Sequence, residues 1–180
     1  MDDTRNLVDG YKGMANEAIV ADLDKSRIPL QIAIENLAHD FNIGTIIRNA
    51  NAFNVEAVHI IGRRKYNRRG AMVTDRYLHI HHHANVAEFA KAQEGRTLVA
   101  VENNVLGARP LSEAKFVHNT TLIFGSESDG ISEELLGSAN AIYYIEQLGS
   151  TRSINVGCAS AVAMYEYCRR LQLFREDSNV

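Results

Sequence analysis

Apolar and polar positions along this 180-residue chain change period several times, and each change marks an element. Residues 11–23 (YKGMANEAIVADL) carry apolar residues at helical spacing and predict a leading helix. Pro29 then precedes LQIAIEN, an Ile-rich run that reads as a first strand. From Asn42 to Asn54 the residues Ile43, Ile46, Ile47, Ala50 and Phe53 share one helical face, and Val55 to Ile61 is a second strand stopped by Gly62. Strand, helix, strand is the unit of a parallel sheet. Further on, strands are expected at Tyr77–His82, Thr97–Val101, Thr120–Phe124 and Ala141–Ile145. Helices are expected at Val86–Gln93, at LSEA for one turn, at Ser132–Gly137 and from Ser153 to Phe174. This alternation implies an α/β fold with a mostly parallel sheet flanked by helices. Ligands of such sheets lie beyond the strand carboxyl ends, here the polar loops after residues 35, 101, 124 and 145.

Composition narrows the picture. A chain of this length that is 46% hydrophobic can bury a core as one domain without staples. Cys158 and Cys168 fall in one expected helix, about 15 Å apart at roughly 1.5 Å per residue, too far for a disulfide. They read as buried thiols in a reducing compartment. The first residues, MDDTRNLVDGYKGM, hold no apolar signal core, and no run is long enough to span a bilayer, so a cytoplasmic protein with no membrane partner is expected. The formal net charge of −3 does not describe a uniformly basic nucleic-acid binder. Its distribution matters more, because Arg63, Arg64, Lys65, Arg68, Arg69 and Arg76 place six of the nineteen basic residues in one short stretch, expected as loop or short helix.

Candidate chemistry gathers at the strand-end loops. Asn36, His39, Asp40, Asn42 and Arg48 crowd the start of the first sheet helix; Asp40 or Asn42 could be its cap, and the planar fork of Arg48 suits phosphate or carboxylate. Gly125-Ser126-Glu127-Ser128-Asp129-Gly130 pairs a backbone-exposing glycine with a carboxylate directly after a strand, although a plain tight turn has the same composition. Ser153 opens the last expected helix as a possible cap, and Asn155 follows near its N–H groups and positive dipole end. His79, His81 and His83 could converge on one strand face, but no nearby Cys or carboxylate completes a zinc set, so no metal is expected.

Three segments, NIGTIIRNANAF, LIFGSESDGIS and TRSINVGCASAVAMYE, resemble in order and spacing the three motifs of the SpoU (TrmH) family of RNA ribose 2′-O-methyltransferases, in the SPOUT superfamily. The resemblance covers roughly residues 30–172. It implies a C-terminal deep trefoil knot, S-adenosylmethionine as cofactor and a homodimer whose active site borrows residues from both subunits. On that footing residues 1–29 form an N-terminal helical extension and 30–180 the knotted methyltransferase domain. By motif match, Asn42 and Arg48 are the polar pair of the first motif, Glu127 is the carboxylate of the second, and Ser153 and Asn155 belong to the third. The resemblance places the cofactor against Val101, Glu102, Gly125, Ile145, Gln147, Ser153 and Ile154, largely through backbone groups.

The implied reaction methylates a ribose hydroxyl. An alcohol is a poor nucleophile, so a base or firm positioning is needed. A guanidinium keeps its proton across the physiological range, which favours Arg48 as a positioning and charge-stabilising group, with Asn42 and Asn155 orienting it and the ribose. RNA phosphates are expected on the Arg63, Arg64, Lys65, Arg68, Arg69 and Arg76 stretch, whose bland reading is a solvated loop. Residues 1–29 are too few for a separate RNA-binding domain, and tRNA is favoured over rRNA. The chain departs from the family where Ile145-Glu146-Gln147 replaces the usual Ile-Pro-Met, removing a rigid proline and bringing a charge close to the expected slot. That departure motivates the alternative, an RNA-binding or chaperone-like protein with a weakened cofactor slot. An unrelated nucleotide-binding enzyme would need a phosphate loop that the chain lacks.

Overall fold

A computed structural model describes residues 7–36, 42–126 and 129–174 of the protein. Among the described residues, seven strands form one sheet in the order β3-β2-β1-β6-β4-β7-β5, and every neighbouring pair is parallel. They are β1 (Ile28–Asn36), β2 (Val55–Gly62), β3 (Ile80–His83), β4 (Thr97–Val101), β5 (Arg109–Pro110), β6 (Thr120–Phe124) and β7 (Ala141–Tyr144). The described residues also form the α-helices α1 (Asn16–Leu23), α2 (Asn42–Ala52), α3 (Val86–Ala92), α4 (Glu133–Gly137) and α5 (Val156–Arg170). With all strands parallel, their carboxyl ends lie along one edge.

The apolar runs of β1 and β6 are buried on both faces, as central parallel strands require. Ile32 and Ile34 join Ile43, Ile46, Ile47 and Met164 in the larger core, beneath α2 and α5. Ala33 and Ile61 face the other way, with Phe89 of α3 and Leu135 of α4. Gly44 lets α2 approach a 3-10 turn at Arg68–Ala71; a Cβ there would lie 2.8 Å from the Ala71 nitrogen.

Where the elements differ from expectation, local geometry gives the reason. The leading helix begins at Asn16 rather than residue 11, because Gly13 at φ +82° breaks the path. Tyr77 belongs to a second 3-10 turn, Thr74–Tyr77, entered through Val73 at φ +70°, so β3 starts only at Ile80. The last helix runs from Val156 to Arg170 instead of Ser153 to Phe174, and Gln172 at φ +53° closes it. The β5 edge strand was not expected. Cys168 is buried and its thiol is pushed up to about 11 by desolvation, whereas Cys158, expected to be buried, is exposed on the outer side of α5. Both are free. No helix among the described residues is long and apolar enough to cross a membrane.

One buried polar network interrupts the apolar sheet. His59 on β2 is 5% exposed, with Nε2 2.9 Å from Gln31 Oε1 and Nδ1 2.8 Å from His83 Nε2. Gln93 donates to Gln31 at 3.0 Å and accepts from the Thr121 hydroxyl at 2.6 Å. His81 and His83 therefore converge on His59 rather than on His79, which pairs with Asp24 at 2.8 Å. Among the described residues no group of three or more His, Cys, Asp or Glu is placed to hold a metal ion.

Desolvation first, then the charges of His81, His83 and Arg96, depress the His59 ring from its ordinary value to about 3. A depressed pKa means that the unfolded chain binds the proton more tightly, so this stabilisation is full above about pH 6.5 and is lost as pH falls toward about 3. His59→Gln should therefore shrink the difference in unfolding free energy between about pH 7.5 and about pH 5 by about 2 kcal/mol. Urea denaturation at the two pH values measures it, and an unchanged difference would refute a neutral buried His59.

Candidate functional site

Three loops at the carboxyl ends of β4, β6 and β7 enclose a cleft of about 400 Å³. The segment Arg152–Ile154 and the first turn of α5 close its remaining side. Of the positions expected to hold a cofactor, Val101, Glu102, Gly125, Ile145, Ser153 and Ile154 all line this one space. Gln147 lines an adjoining hollow instead, together with Asn103 and Arg152, and accepts from the Thr151 hydroxyl at 3.3 Å.

The β6 loop folds back tightly on itself. Ser126 and Gly130 exchange two backbone hydrogen bonds of 3.1 and 3.0 Å, so the chain after Gly130 returns directly over Gly125. A Cβ at Gly125 would lie 2.1 Å from the Gly130 carbonyl carbon, closer than any side chain can come. Glycine is present here for close backbone approach. Glu127 and Ser128 lie outside the described residues, as do His39 and Asp40.

Glu102 does more than offer its backbone. Its Oε2 accepts from the Ile131 N–H at 3.0 Å and its Oε1 from the Asn103 N–H at 2.9 Å, so one half-buried carboxylate ties the β4 loop to the β6 loop. Burial raises its pKa, and the two amide bonds offset part of that rise. Asn103 completes the bracing by donating to the Arg152 carbonyl at 3.2 Å. These side-chain braces were not expected, since nothing in the spacing of Glu102 and Asn103 shows what lies across the cleft.

Asn155 is the N-cap of α5. Its Oδ1 accepts from the N–H groups of Gly157 at 2.9 Å and Cys158 at 3.3 Å, and its Nδ2 donates to Asn42 Oδ1 at 2.8 Å. The expectation that Ser153 opens and caps the last helix is thereby corrected: Asn155 is the cap, and Ser153 stands in the preceding loop. A cap must leave the helical path so that its side chain reaches back to the amides, and Asn155 does this while also spanning to α2. Ile154 and Val156 on either side of it face the cleft. Asn42 is the first residue of α2, and Arg48 is exposed further along the same helix. Asn49, a residue not singled out beforehand, donates to the Gly157 carbonyl at 2.8 Å and the Ser160 hydroxyl at 3.0 Å, so the two helices are joined at two levels.

Glu146 does not point into the cleft. Its carboxylate accepts a hydrogen bond from the Ser112 hydroxyl, which holds it below the ordinary carboxylate range, and it borders an outer hollow with Val162 and Tyr165. Among the basic residues, Arg68 is held by the buried carboxylate of Asp75, while Arg63, Arg64 and Lys65 are exposed at the end of β2.

The sequence profile of the SpoU rRNA Methylase family matches residues 29–165. The tRNA (guanosine(18)-2′-O)-methyltransferase of Thermus thermophilus is 30% identical over 146 residues, covering 78% of this chain and 75% of that protein. The enzyme of the same description from Escherichia coli is 25% identical over 147 residues, covering 79% of this chain. The matched part spans 64% of the E. coli protein's length. A solved structure concerned with the 2-OH methylation of C/U34 on tRNA superposes with a TM-score of 0.71 at 27% identity, over 79% of this chain and 96% of that one.

Gly125→Ala tests whether the cleft depends on the folded-back loop. The added methyl group forces the Gly130 carbonyl away and should cost about 2 kcal/mol of unfolding free energy. Denaturant unfolding reads this out, and an unchanged midpoint would show that the loop does not pack as described.

Proposed function

Because the chain belongs to the SpoU rRNA Methylase family, we propose that it transfers a methyl group from S-adenosylmethionine to the 2′-hydroxyl of a ribose in RNA. The observation that carries this reading is the joining of two half-sites. The cleft at the β4, β6 and β7 loops meets the N-terminus of α2 through the Asn155–Asn42 hydrogen bond. Transfer RNA is favoured over ribosomal RNA as the substrate, in keeping with the tRNA named for the Thermus and Escherichia relatives.

The residues present fit the cofactor. Val101, Gly125, Ile145, Ser153 and Ile154 would hold it through apolar surface and backbone groups, and the Glu102 carboxylate offers a hydrogen-bond acceptor on the same wall. When bound, S-adenosylmethionine supplies an electrophilic methyl group. The protein's own task is to present the hydroxyl. Arg48 contacts the substrate phosphate and stabilises the charge that develops on the attacking hydroxyl oxygen, whose proton is released to solvent water. Asn42 and Asn155 hold α2 and the cofactor loops in one frame so that Arg48 is presented correctly. Glu127, which lies outside the described residues, is assigned to fixing the site through hydrogen bonds. The added charge no longer argues for a weakened slot, since the Glu146 carboxylate lies outside the cleft and accepts from the Ser112 hydroxyl.

Four further assignments accompany this reading. The return of α5 onto α2, with β7 lodged between β4 and β5, supports a C-terminal trefoil knot within a methyltransferase unit from residue 30 onward. The preceding segment is an extension tied to it by buried Ile19 and by Arg27, which donates to the Val55 and Tyr77 carbonyls at 3.1 and 3.0 Å. Exposed Val162, Tyr165 and Phe174 on the outer side of α5 and just after it support a homodimer. RNA approaches over the Arg63–Arg76 stretch.

Incubation with a tritium-labelled methyl donor and unmodified tRNA or rRNA, followed by nucleotide mapping, should place label on a ribose 2′-oxygen. Arg48→Ala should lower transfer roughly 100-fold while S-adenosylhomocysteine binds as before. Absence of label in every RNA would refute the activity, and a fully active Arg48→Ala would refute that residue's role.

A further inference from the structure

The basic stretch after β2 is not a uniform charged surface. A separate hollow, of about 520 Å³, opens between this loop and β3, bordered by Arg64, Lys65, Tyr66, Arg68, Asp75 and His82. Its floor is built rather than loose. The Tyr66 ring packs on the main core, and Arg68 is fixed on the buried carboxylate of Asp75, so the charge of Arg68 is already compensated. The loop backbone is fixed as well. Asn36 is fully buried, and its Nδ2 donates to the carbonyls of Arg63 at 2.5 Å and Lys65 at 3.1 Å, while its main-chain carbonyl accepts from the Arg63 N–H at 3.1 Å.

What remains for a ligand is specific. Arg64 and Lys65 are exposed and make no ion pair among the described residues. Burial and the nearby Arg64 hold His82 below its ordinary range, so it acts as a neutral N–H donor rather than a third charge. Two uncompensated cations and one neutral donor around a preformed hollow suit a phosphate group. The hollow also shares a rigid frame with the proposed reaction centre, because the Arg68–Ala71 turn packs directly on Gly44 of α2, one turn before Arg48.

We propose that this hollow binds backbone phosphate of the RNA substrate, with Arg64 and Lys65 neutralising it, His82 donating a hydrogen bond, and Arg68 serving the loop's structure instead of the RNA. The assignment rests on the RNA methylation reading, and binding can be measured apart from catalysis. Fluorescence anisotropy with a labelled tRNA transcript, the full chain and no cofactor, across roughly 50 to 300 mM salt, gives affinity and its salt slope.

Arg64→Gln/Lys65→Gln should flatten the slope by about 0.9, the share of one phosphate contact, and weaken binding roughly tenfold at about 100 mM salt. Lys91→Ala, on α3 on the other face of the sheet, should change neither. S-adenosylhomocysteine affinity, read at the separate cleft, should stay within about twofold of the unaltered protein. Unchanged slope and affinity in the folded double variant would overturn the site, as would inorganic phosphate displacing no RNA at any concentration. Loss of slope in a protein that transfers no methyl group would uphold the hollow while refuting the proposed activity.

Discussion

The junction between α2 and α5 is the contact on which the site depends. These helices start at the same edge of the sheet because every strand is parallel, but nothing in a parallel sheet brings the second helix of the chain against the last. That is done by Asn155 reaching Asn42, by Asn49 reaching the Gly157 carbonyl, and by the absence of a side chain at Gly157, where a Cβ would lie 2.8 Å from the Thr45 methyl group. Asn155 has two tasks in one side chain. Its oxygen satisfies the open N–H groups of α5, and its nitrogen crosses to α2. Removing it would release both helix ends at once, which makes the start of α5 a structural hinge for the whole site.

Around this junction, polar groups are placed so that few charges are left inside. Glu102 is desolvated but receives two backbone N–H groups, and it closes the cleft by bridging two loops. Glu146, which stands where the family usually has proline, is drawn outward by Ser112 and leaves the cleft wall to Ile145. Burial of His59 among Gln31, Gln93 and His83 is tolerated because a neutral ring can donate from one nitrogen and accept at the other. The same principle separates the basic groups after β2: Arg68 is committed to Asp75, and Arg64 and Lys65 stay available.

Much of this architecture was legible in the residues. Thr97–Val101 and Thr120–Phe124 appear with the bounds that their apolar runs suggest, because buried parallel strands are marked by such runs and ended by polar turn residues. The α2 face of Ile43, Ile46, Ile47 and Ala50 is buried as its spacing requires. Errors arose where distant contacts or backbone geometry decide. Ser153 is a good cap by residue type, yet the cap is Asn155, since only a start at Val156 sets Gly157 against Thr45. β5 is two residues at the sheet edge and carries no pattern of its own. The positive φ of Val73 displaced β3, and Glu102 and Asn103 act through partners about 29 and 49 residues away in sequence. Of the expected cofactor positions, six share one cleft because strand-end loops converge, while Gln147 faces the adjoining hollow.

A double-mutant cycle on Asn42→Ala and Asn155→Ala, read as kcat/KM for methyl transfer and as S-adenosylhomocysteine affinity, addresses the junction most directly. If the 2.8 Å contact couples the two half-sites, the double variant should lose far less activity than the product of the single losses, with a coupling free energy of about 1 kcal/mol or more. Strictly additive losses would contradict the account, because each asparagine would then be serving its own helix and not a shared site.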